Sequence, residues 1–448
     1  EIFIQEEIMK RTSLDSWIKE KIGQVSKEEL KIEDLESYQL KKLRDTLQYV
    51  KEKSKFYNKL LKDVNLEEIS SLKAISTLPF TTAEDIKEQG TRFICVSQNE
   101  INRIVTLQTT SQPKRIFFTK EDQDLTIDFF HNGMATLVEP GDKVLILMPG
   151  QKPGSVGDLL KKGLERLGVE SYIYGPVDNV NEVLKIITEK NINSLVGLPQ
   201  QVFALAKYYK YNKNTDPISL KSILLSADYV PNSIIDELKK VWNCQVYEHY
   251  GMTEMGLGGG VACDAFEGYH VREADLYFEV VDPTTRLPVP NGQYGEVVFT
   301  TLTRKGMPLI RYLTGDISRI IEEPCPCGSP LKRLDKVLYR IEECIKLESE
   351  KILTITQLDE ILFSIEEVIN YDAYLTKLGN KECLSINISS PFSTGDCLNN
   401  TISNKLLSST TFGELIEKKK LVLDIKNKFI SLDQSDGMHK RKVKDLRG

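Results

Sequence analysis

"KVLILMPG", residues 143–150, is a short apolar run closed by Pro-Gly. Apolar side chains on both faces of so short a run fit a strand that is buried on both sides. The next stretch, "SVGDLLKKGLERLG" (155–168), places Leu159, Leu160, Leu164 and Leu167 on one helical stripe. Ser155 is placed to cap its start and Gly168 its end. The pattern then recurs. "SYIYG" (171–175), "SLVGLP" (194–199), "SILLSAD" (222–228) and "CQVYEHYG" (244–251) are apolar runs ended by turns, with helical stretches between them. Strand–helix–strand, repeated, predicts a parallel sheet covered by helices. In such sheets ligands bind at the carboxyl ends of the strands.

On either side the character changes. Residues 1 to about 100 read as helices with a polar surface; Leu35, Tyr38, Leu40, Leu43, Leu47, Val50 and Phe56 fall close to helical spacing. After about residue 270, "DLYFEVVDP" and "YGEVVFTTLT" read as antiparallel strands around a Pro-rich turn. From about residue 340 a smaller α+β unit follows, with a helix in "TITQLDEILFSI" and strands in "YDAYL", "LSINIS" and "KFISLD". The expected fold is α/β. A large N-terminal domain, 1–338, carries the parallel sheet and the antiparallel strands, and a small mobile α+β domain, 339–448, completes the chain.

Composition narrows the class. The 448 residues exceed one compact core. Lys and Arg total 59 against 65 Asp and Glu, a net charge of −6, which weighs against nucleic acid as the main partner. The N-terminal "EIFIQEEIMKR" lacks a signal-peptide core, and the apolar runs are too short to span a bilayer. Eight cysteines in so long a chain do not form a secreted disulfide framework, so a reducing, cytoplasmic setting is expected.

Several motifs can carry chemistry. In "YEHYGMTEMGLGGG" (247–260), Thr253 and Glu254 sit on the turn after a buried strand. There the hydroxyl can donate to a phosphate oxygen and the carboxylate can hold Mg²⁺. The competing reading is a plain strand end with a Gly-rich turn. In "IRYLTGDISR" (310–319), Thr314-Gly315-Asp316 reads as a tight turn presenting a carboxylate to ribose hydroxyls, although surface turns of this composition are common. Ser226, Ala227 and Asp228 end another strand with small residues that could accept a flat base. His249 either contacts a substrate or packs and hydrogen-bonds, and His131 reads as structural. Cys263, His270, Cys325 and Cys327 make a tetrahedral zinc donor set, although the spacing is not that of a standard finger. The alternative there is buried reduced cysteines with a hydrogen-bonded histidine.

Taken in order, "HYGMTE" (249–254), "GYHVRE" (268–273), "GMPLIRYLTGD" (306–316) and "PCPCG" (324–328) resemble the adenylate-forming superfamily of acyl- and aryl-CoA ligases, nearest its phenylacetate–CoA ligase branch. The resemblance runs from about residue 100 to the C-terminus. It implies ATP, Mg²⁺, CoA and a small carboxylic acid as partners, with no nucleic acid and no membrane, and leaves a homodimer open. It assigns nucleotide binding to Thr109, Thr110, Ser111, Lys114, Ser226–Asp228, Glu248, His249, Tyr250, Gly251, Met252, Thr253, Asp316 and Arg340. It implies catalytic roles for Thr253, Glu254 and a C-terminal lysine, for which Lys440 and Lys442 both fit, the alternative being a solvated basic tail. It also places a hinge at Glu342, where the family has Asp. Some members keep the four Cys/His positions for zinc.

Two departures stand out. The family's phosphate loop carries Gly-Thr-Thr-Gly before x-Pro-Lys-Arg, whereas here Thr109-Thr110-Ser111 meets Gln112-Pro113-Lys114-Arg115 directly. Either the sequence lacks a stretch at Ser111–Gln112 that the protein has, as the intact flanks favour, or a true deletion impairs ATP binding, because Gly lets backbone approach phosphate closely. The second departure is Glu348-Ser349 where the family has the Arg-Gly that helps form its pantetheine channel, so thiol transfer is less secure than adenylation. Three readings result: an acid–CoA ligase, an adenylating enzyme with another acceptor, and a non-catalytic ligand-binding descendant.

Overall fold

A computed structural model describes residues 9–107, 112–212, 216–379, 381–391, 395–430 and 441–447. The chain divides into two units. One comprises Glu1–Gly141, Gly150–Ser171 and Tyr247–Val337; the other comprises Asp142–Pro149, Tyr172–Val246 and Leu338–Gly448.

The second unit holds the parallel strands. Ser194–Gly197 pairs in parallel with Lys143–Leu147 on one side and Ser222–Leu225 on the other. Ser194–Gly197 and Ser222–Leu225 are buried along their whole length, as the apolar runs predict. The Ser194 and Ser222 hydroxyls sit 2.8 Å apart and partner each other inside the sheet. Helices Val180–Glu189, Pro199–Tyr211 and Asn232–Trp242 supply the covering apolar faces. Their core continues without a break into the C-terminal segment, where Phe203 meets the Phe363 ring at 5.3 Å.

In that segment Asn370–Leu378 and Lys381–Ser390 form an antiparallel hairpin, and Leu421–Phe429 joins Lys381–Ser390 in parallel. This last strand lies earlier than "KFISLD" predicts. Its partner fixes the register from Glu382↔Leu421 to Ser390↔Phe429, so pairing ends at Phe429. Residues 431–433 of that run lie outside the described residues.

The first unit combines N-terminal helices with antiparallel strands. Helix Ile32–Lys53 buries Leu35, Leu43, Leu47 and Val50; Gln39 is buried beside them rather than Leu40, and its Nε2 donates to the Glu273 carbonyl at 2.8 Å. Leu276–Val281, Gly295–Thr301 and Tyr312–Ser318 form an antiparallel sheet. Arg311 enters it almost fully buried, paired through two nitrogens with Glu279 at 3.0 and 3.1 Å and donating to the Ser76 and Leu78 carbonyls. Helix Val156–Arg166 starts after Ser155, whose hydroxyl does not cap it as expected. That hydroxyl donates to the Lys152 carbonyl and closes the preceding turn, while Asp158 reaches back to the Gly154 N–H at 2.7 Å. Among the described residues no helix is long and apolar enough to cross a membrane.

Candidate active site

The site grows from the hairpin Arg103–Leu107/Lys114–Phe118. The two strands pair as far as Leu107↔Lys114, so residues 108–113 make the whole connection. Thr109, Thr110 and Ser111 lie outside the described residues. The hairpin delivers Lys114 to Glu254: the two are ion-paired, and Lys114 Nζ also donates to the Tyr312 hydroxyl at 3.2 Å. That hydroxyl lies 3.4 Å from Glu254 Oε1.

Glu254 is held by its backbone as well as its carboxylate. Strand Gln245–Tyr250 ends at Gly251, where a Cβ would stand 2.3 Å from the Leu257 carbonyl oxygen. Only glycine fits there, and the chain turns into the single helical turn Thr253–Met255. The buried Arg304 guanidinium donates to the Glu254 carbonyl and lies 4.4 Å from the centre of the Phe118 ring. Thr126 Oγ1 donates to the Gly256 carbonyl at 2.9 Å. Thr253 is half-buried on this turn and Met252 precedes it.

Asp316 does not sit on a surface turn. Thr314–Asp316 belongs to strand Tyr312–Ser318, where the register slips against Gly295–Thr301 and Gly315 takes φ 76°. This is a β-bulge, in which extra residues face one on the partner strand and Gly accepts the left-handed geometry. The bulge buries the Asp316 carboxylate, which accepts the Tyr250 hydroxyl at 2.9 Å. Tyr250 in turn lies over Tyr269, ring centres 5.9 Å apart.

Two further residues of the strand Gln245–Tyr250 were flagged. Glu248 pairs with Lys336 at 3.1 Å. The His249 ring lies beside Phe129 and Phe130, at 5.9 and 6.2 Å; burial, then the Arg272 charge, pushes its pKa down to about 4. His131 Nδ1 meets the Gly163 carbonyl at 3.3 Å, a helix-packing contact.

The remaining candidates belong to the second unit. Ser226 N–H donates to the Gly197 carbonyl at 3.1 Å, Ala227 takes φ 72°, and Asp228 accepts from the Tyr229 N–H at 2.8 Å and from Gln200 at 3.2 Å. A non-Gly residue in left-handed geometry costs roughly 1 kcal/mol and clusters at functional sites. Arg340 ends the short strand Tyr339–Arg340, and Glu342 is exposed on the next turn. Lys442 is exposed and Lys440 lies outside the described residues. Their neighbour Arg441 is instead half-buried, pairing with Asp359 at 2.8 Å over the Phe363 ring. The basic tail is therefore partly an anchor.

The four proposed zinc ligands meet in the first unit, all buried, with their ligand atoms within 4.8 Å of one another. Cys263 and Cys325 sulfurs lie 3.6 Å apart, and Cys327 Sγ lies 3.4 Å from His270 Nε2. A tetrahedral zinc, ~2.3 Å from sulfur and ~2.0 Å from nitrogen, separates its ligands by roughly 3.5–3.8 Å. The donor set fits. Hydrogen bonds from Cys263 and then His270 hold the Cys327 thiol below its usual range. None of the eight cysteines is in a disulfide.

Sequence reasoning missed Tyr312, Arg304 and Arg272. Tyr312 and Arg304 fall in or beside the quoted "GMPLIRYLTGD", and Arg272 in "GYHVRE". Nothing in their spacing shows that they converge on Glu254 and His249.

A parallel α/β unit, an acidic turn met by a lysine hairpin and a buried aspartate on a bulged strand fit the adenylate-forming class that the motifs resemble. The AMP-binding enzyme family model matches residues 109–302. The chain is 27% identical to the phenylacetate–coenzyme A ligase of Thermus thermophilus, covering 82% of this chain and 84% of the relative. It is 23% identical to that of Escherichia coli, covering 80% and 83%. The fold is shared with 2-hydroxyisobutyryl-CoA ligase in complex with 2-HIB-AMP: TM-score 0.79, 19% identity, 92% of this chain and 90% of that one. These likenesses support a place in the adenylate-forming superfamily, near its phenylacetate–coenzyme A ligase-like branch.

Proposed function

We propose that this protein is an ATP-dependent, AMP-forming carboxylic acid–CoA ligase acting on an aryl or arylacetic acid. The observation that carries this reading is the convergence of Lys114, Glu254 and Tyr312, three residues from separate motifs, on one buried point. The acid carboxylate attacks the α-phosphorus of ATP, a new P–O bond forms, and pyrophosphate leaves. Lys114 and Thr253 bind phosphate oxygens as charge builds there. Glu254 offers a hard carboxylate for Mg²⁺, which supplies charge neutralisation at the phosphates when bound. Asp316 takes the ribose hydroxyls, and Ser226–Asp228 with Tyr250 take the base. Lys440 or Lys442 bridges the acyl carboxylate and the α-phosphate. The CoA thiol then attacks the acyl carbon and AMP leaves, after residues 339–448 turn about Glu342 as a lid domain. Cys263, His270, Cys325 and Cys327 hold a structural zinc, since four protein ligands leave no open position.

The second reading keeps adenylation and changes the acceptor. It is favoured by Glu348-Ser349, where the Glu348 N–H is engaged by Glu382 at 3.2 Å and Glu350 takes φ 67° without a glycine. One assay separates the two. Pyrophosphate exchange into ATP should depend on phenylacetate, and adding CoA should release AMP and a thioester. Exchange without thioester would select another acceptor, and no exchange with any aryl or arylacetic acid would remove the proposal.

A further inference from the structure

Helix Ile355–Leu362 carries two adjacent carboxylates that bond to two distant parts of the chain. Glu360, half-buried, grips the loop that follows Ser226–Asp228. The Tyr229 hydroxyl donates to Glu360 Oε1 at 2.6 Å, and the Asn232 N–H donates to both carboxylate oxygens at 3.1 Å. Asn232 opens helix Asn232–Trp242, whose cap residue, Pro231, makes no side-chain cap and whose first turn holds no acidic residue. Glu360 therefore supplies from outside the acceptor and the negative charge that a helix start favours.

Asp359 is 2% exposed and binds the C-terminal segment. Arg441 Nη2 donates to Asp359 Oδ2 at 2.8 Å, Arg441 Nη1 lies 2.8 Å from Oδ1, and the Tyr371 hydroxyl also donates to Oδ1. The guanidinium sits 4.5 Å from the centre of the Phe363 ring and 5.1 Å from that of Tyr371. A two-pronged pair of this kind fixes the orientation of both partners. Beyond it, Lys444–Asp445 pairs in parallel with Tyr374 and Leu375, and the Leu446 N–H donates to the Leu375 carbonyl at 2.7 Å. Lys440 and Lys442 flank Arg441 in sequence. One helix thus ties the segment that offers the C-terminal lysine to the loop assigned to the nucleotide base.

We infer that Asp359 and Glu360 are positioning residues for adenylation: Glu360 docks their helix on the Tyr229–Asn232 loop, and Asp359, through Arg441, registers the C-terminal lysine segment to that loop. The inference rests on the functional reading above, in which a C-terminal lysine bridges the acyl carboxylate and the α-phosphate. Asp359, Tyr371 and Arg441 all belong to 339–448, whereas Tyr229 and Asn232 do not. A turn of 339–448 about Glu342 therefore keeps the Asp359 pair and breaks the Glu360 bonds. Both carboxylates serve the first half-reaction, and neither holds a reacting group in the second.

The test compares wild type, Glu360→Gln, Asp359→Asn and the double variant. Pyrophosphate exchange into ATP with phenylacetate gives kcat and KM for adenylation, and thioester formation from preformed phenylacetyl-adenylate and CoA gives the second step. A reacting group displaced by about 1 Å costs about 10²-fold. The exchange kcat should fall about tenfold in Glu360→Gln and about ten- to a hundred-fold in Asp359→Asn, with the KM for ATP within about twofold of wild type and thioester formation unchanged. The two carboxylates act in series, so the double variant should lose little more than the worse single one. Glu360→Gln, at a half-buried position, carries the test if Asp359→Asn does not fold. If wild type makes no thioester, the kcat-against-KM split carries it. Equal loss of both half-reactions, a wild-type exchange rate in every variant, or losses that multiply in the double variant would overturn the assignment and leave the ligase reading standing. A wild type that shows no exchange with any aryl or arylacetic acid would remove both.

Discussion

Tyr250 donates its hydroxyl to Asp316 Oδ2 at 2.9 Å, joining the end of strand Gln245–Tyr250 to the bulge in strand Tyr312–Ser318. Two motifs more than sixty residues apart thus become one surface. Tyr250→Phe keeps the ring over Tyr269 and removes only the donor. A lost hydrogen bond to a charged group amounts to about 1.5–3 kcal/mol. The kcat/KM for ATP should therefore fall about ten- to a hundred-fold in steady-state kinetics, with the melting temperature little changed. An unchanged value would separate Asp316 aim from Tyr250.

Lys114 and Glu254 are ion-paired at the centre of the site. Glu254→Gln should lower the rate of pyrophosphate exchange about 10²-fold, about 3 kcal/mol of transition-state stabilisation. Because the pair acts together, Lys114→Met combined with Glu254→Gln should cost less than the two single losses summed. Strict additivity in that double-mutant cycle would show that they act apart.

His249 gives the stability a pH dependence of defined sign. Burial holds its pKa down to about 4 from the usual 6.5. Below pH 6.5 the unfolded chain takes up a proton that the folded chain refuses until about pH 4, so stability falls as pH drops through that window. The loss approaches about 3 kcal/mol at full protonation of the unfolded state. Urea titrations at pH 7 and pH 4.5 should show a smaller decline for His249→Gln than for wild type. Parallel declines would mean that the ring titrates normally.

The connection 108–113 has no glycine. Inserting Gly-Thr-Thr-Gly between Ser111 and Gln112 should let the backbone approach the phosphates and lower the KM for ATP about tenfold, without moving the KM for the acid. If ATP binding stays the same or worsens, the shorter loop is already the working form.

Cys325→Ser should lower zinc content and melting temperature together, because a metal held by the four residues would join Cys263 and His270 to Cys325 and Cys327 across a long stretch of chain. Elemental analysis and calorimetry on the same sample decide it. A variant that retains zinc and melts like the parent would make these four residues ordinary core groups.

The sequence by itself determined the periodic features. Runs such as "SLVGLP" and "SILLSAD" carry consecutive apolar side chains, Leu195-Val196 and Ile223-Leu224-Leu225, on both faces, so they are stable between two covering layers, and parallel strands followed. The turn after Tyr250 was legible because a glycine-rich stretch follows the apolar run, and the structure leaves no room for a Cβ at Gly251. The meeting of Cys263, His270, Cys325 and Cys327 was legible because three thiols and an imidazole make a metal donor set. Tertiary structure alone decided the rest. Whether Thr314-Gly315-Asp316 turns at the surface or bulges inside a strand depends on the partner strand's register, which no local pattern encodes. Ser155 could cap its helix, but a nearer carbonyl took its hydroxyl. Arg304 carries no periodic signal as a support of Glu254. Long-range polar pairs are set by where packed elements cross, and a charged residue in sequence looks the same whether water or a buried partner will satisfy it.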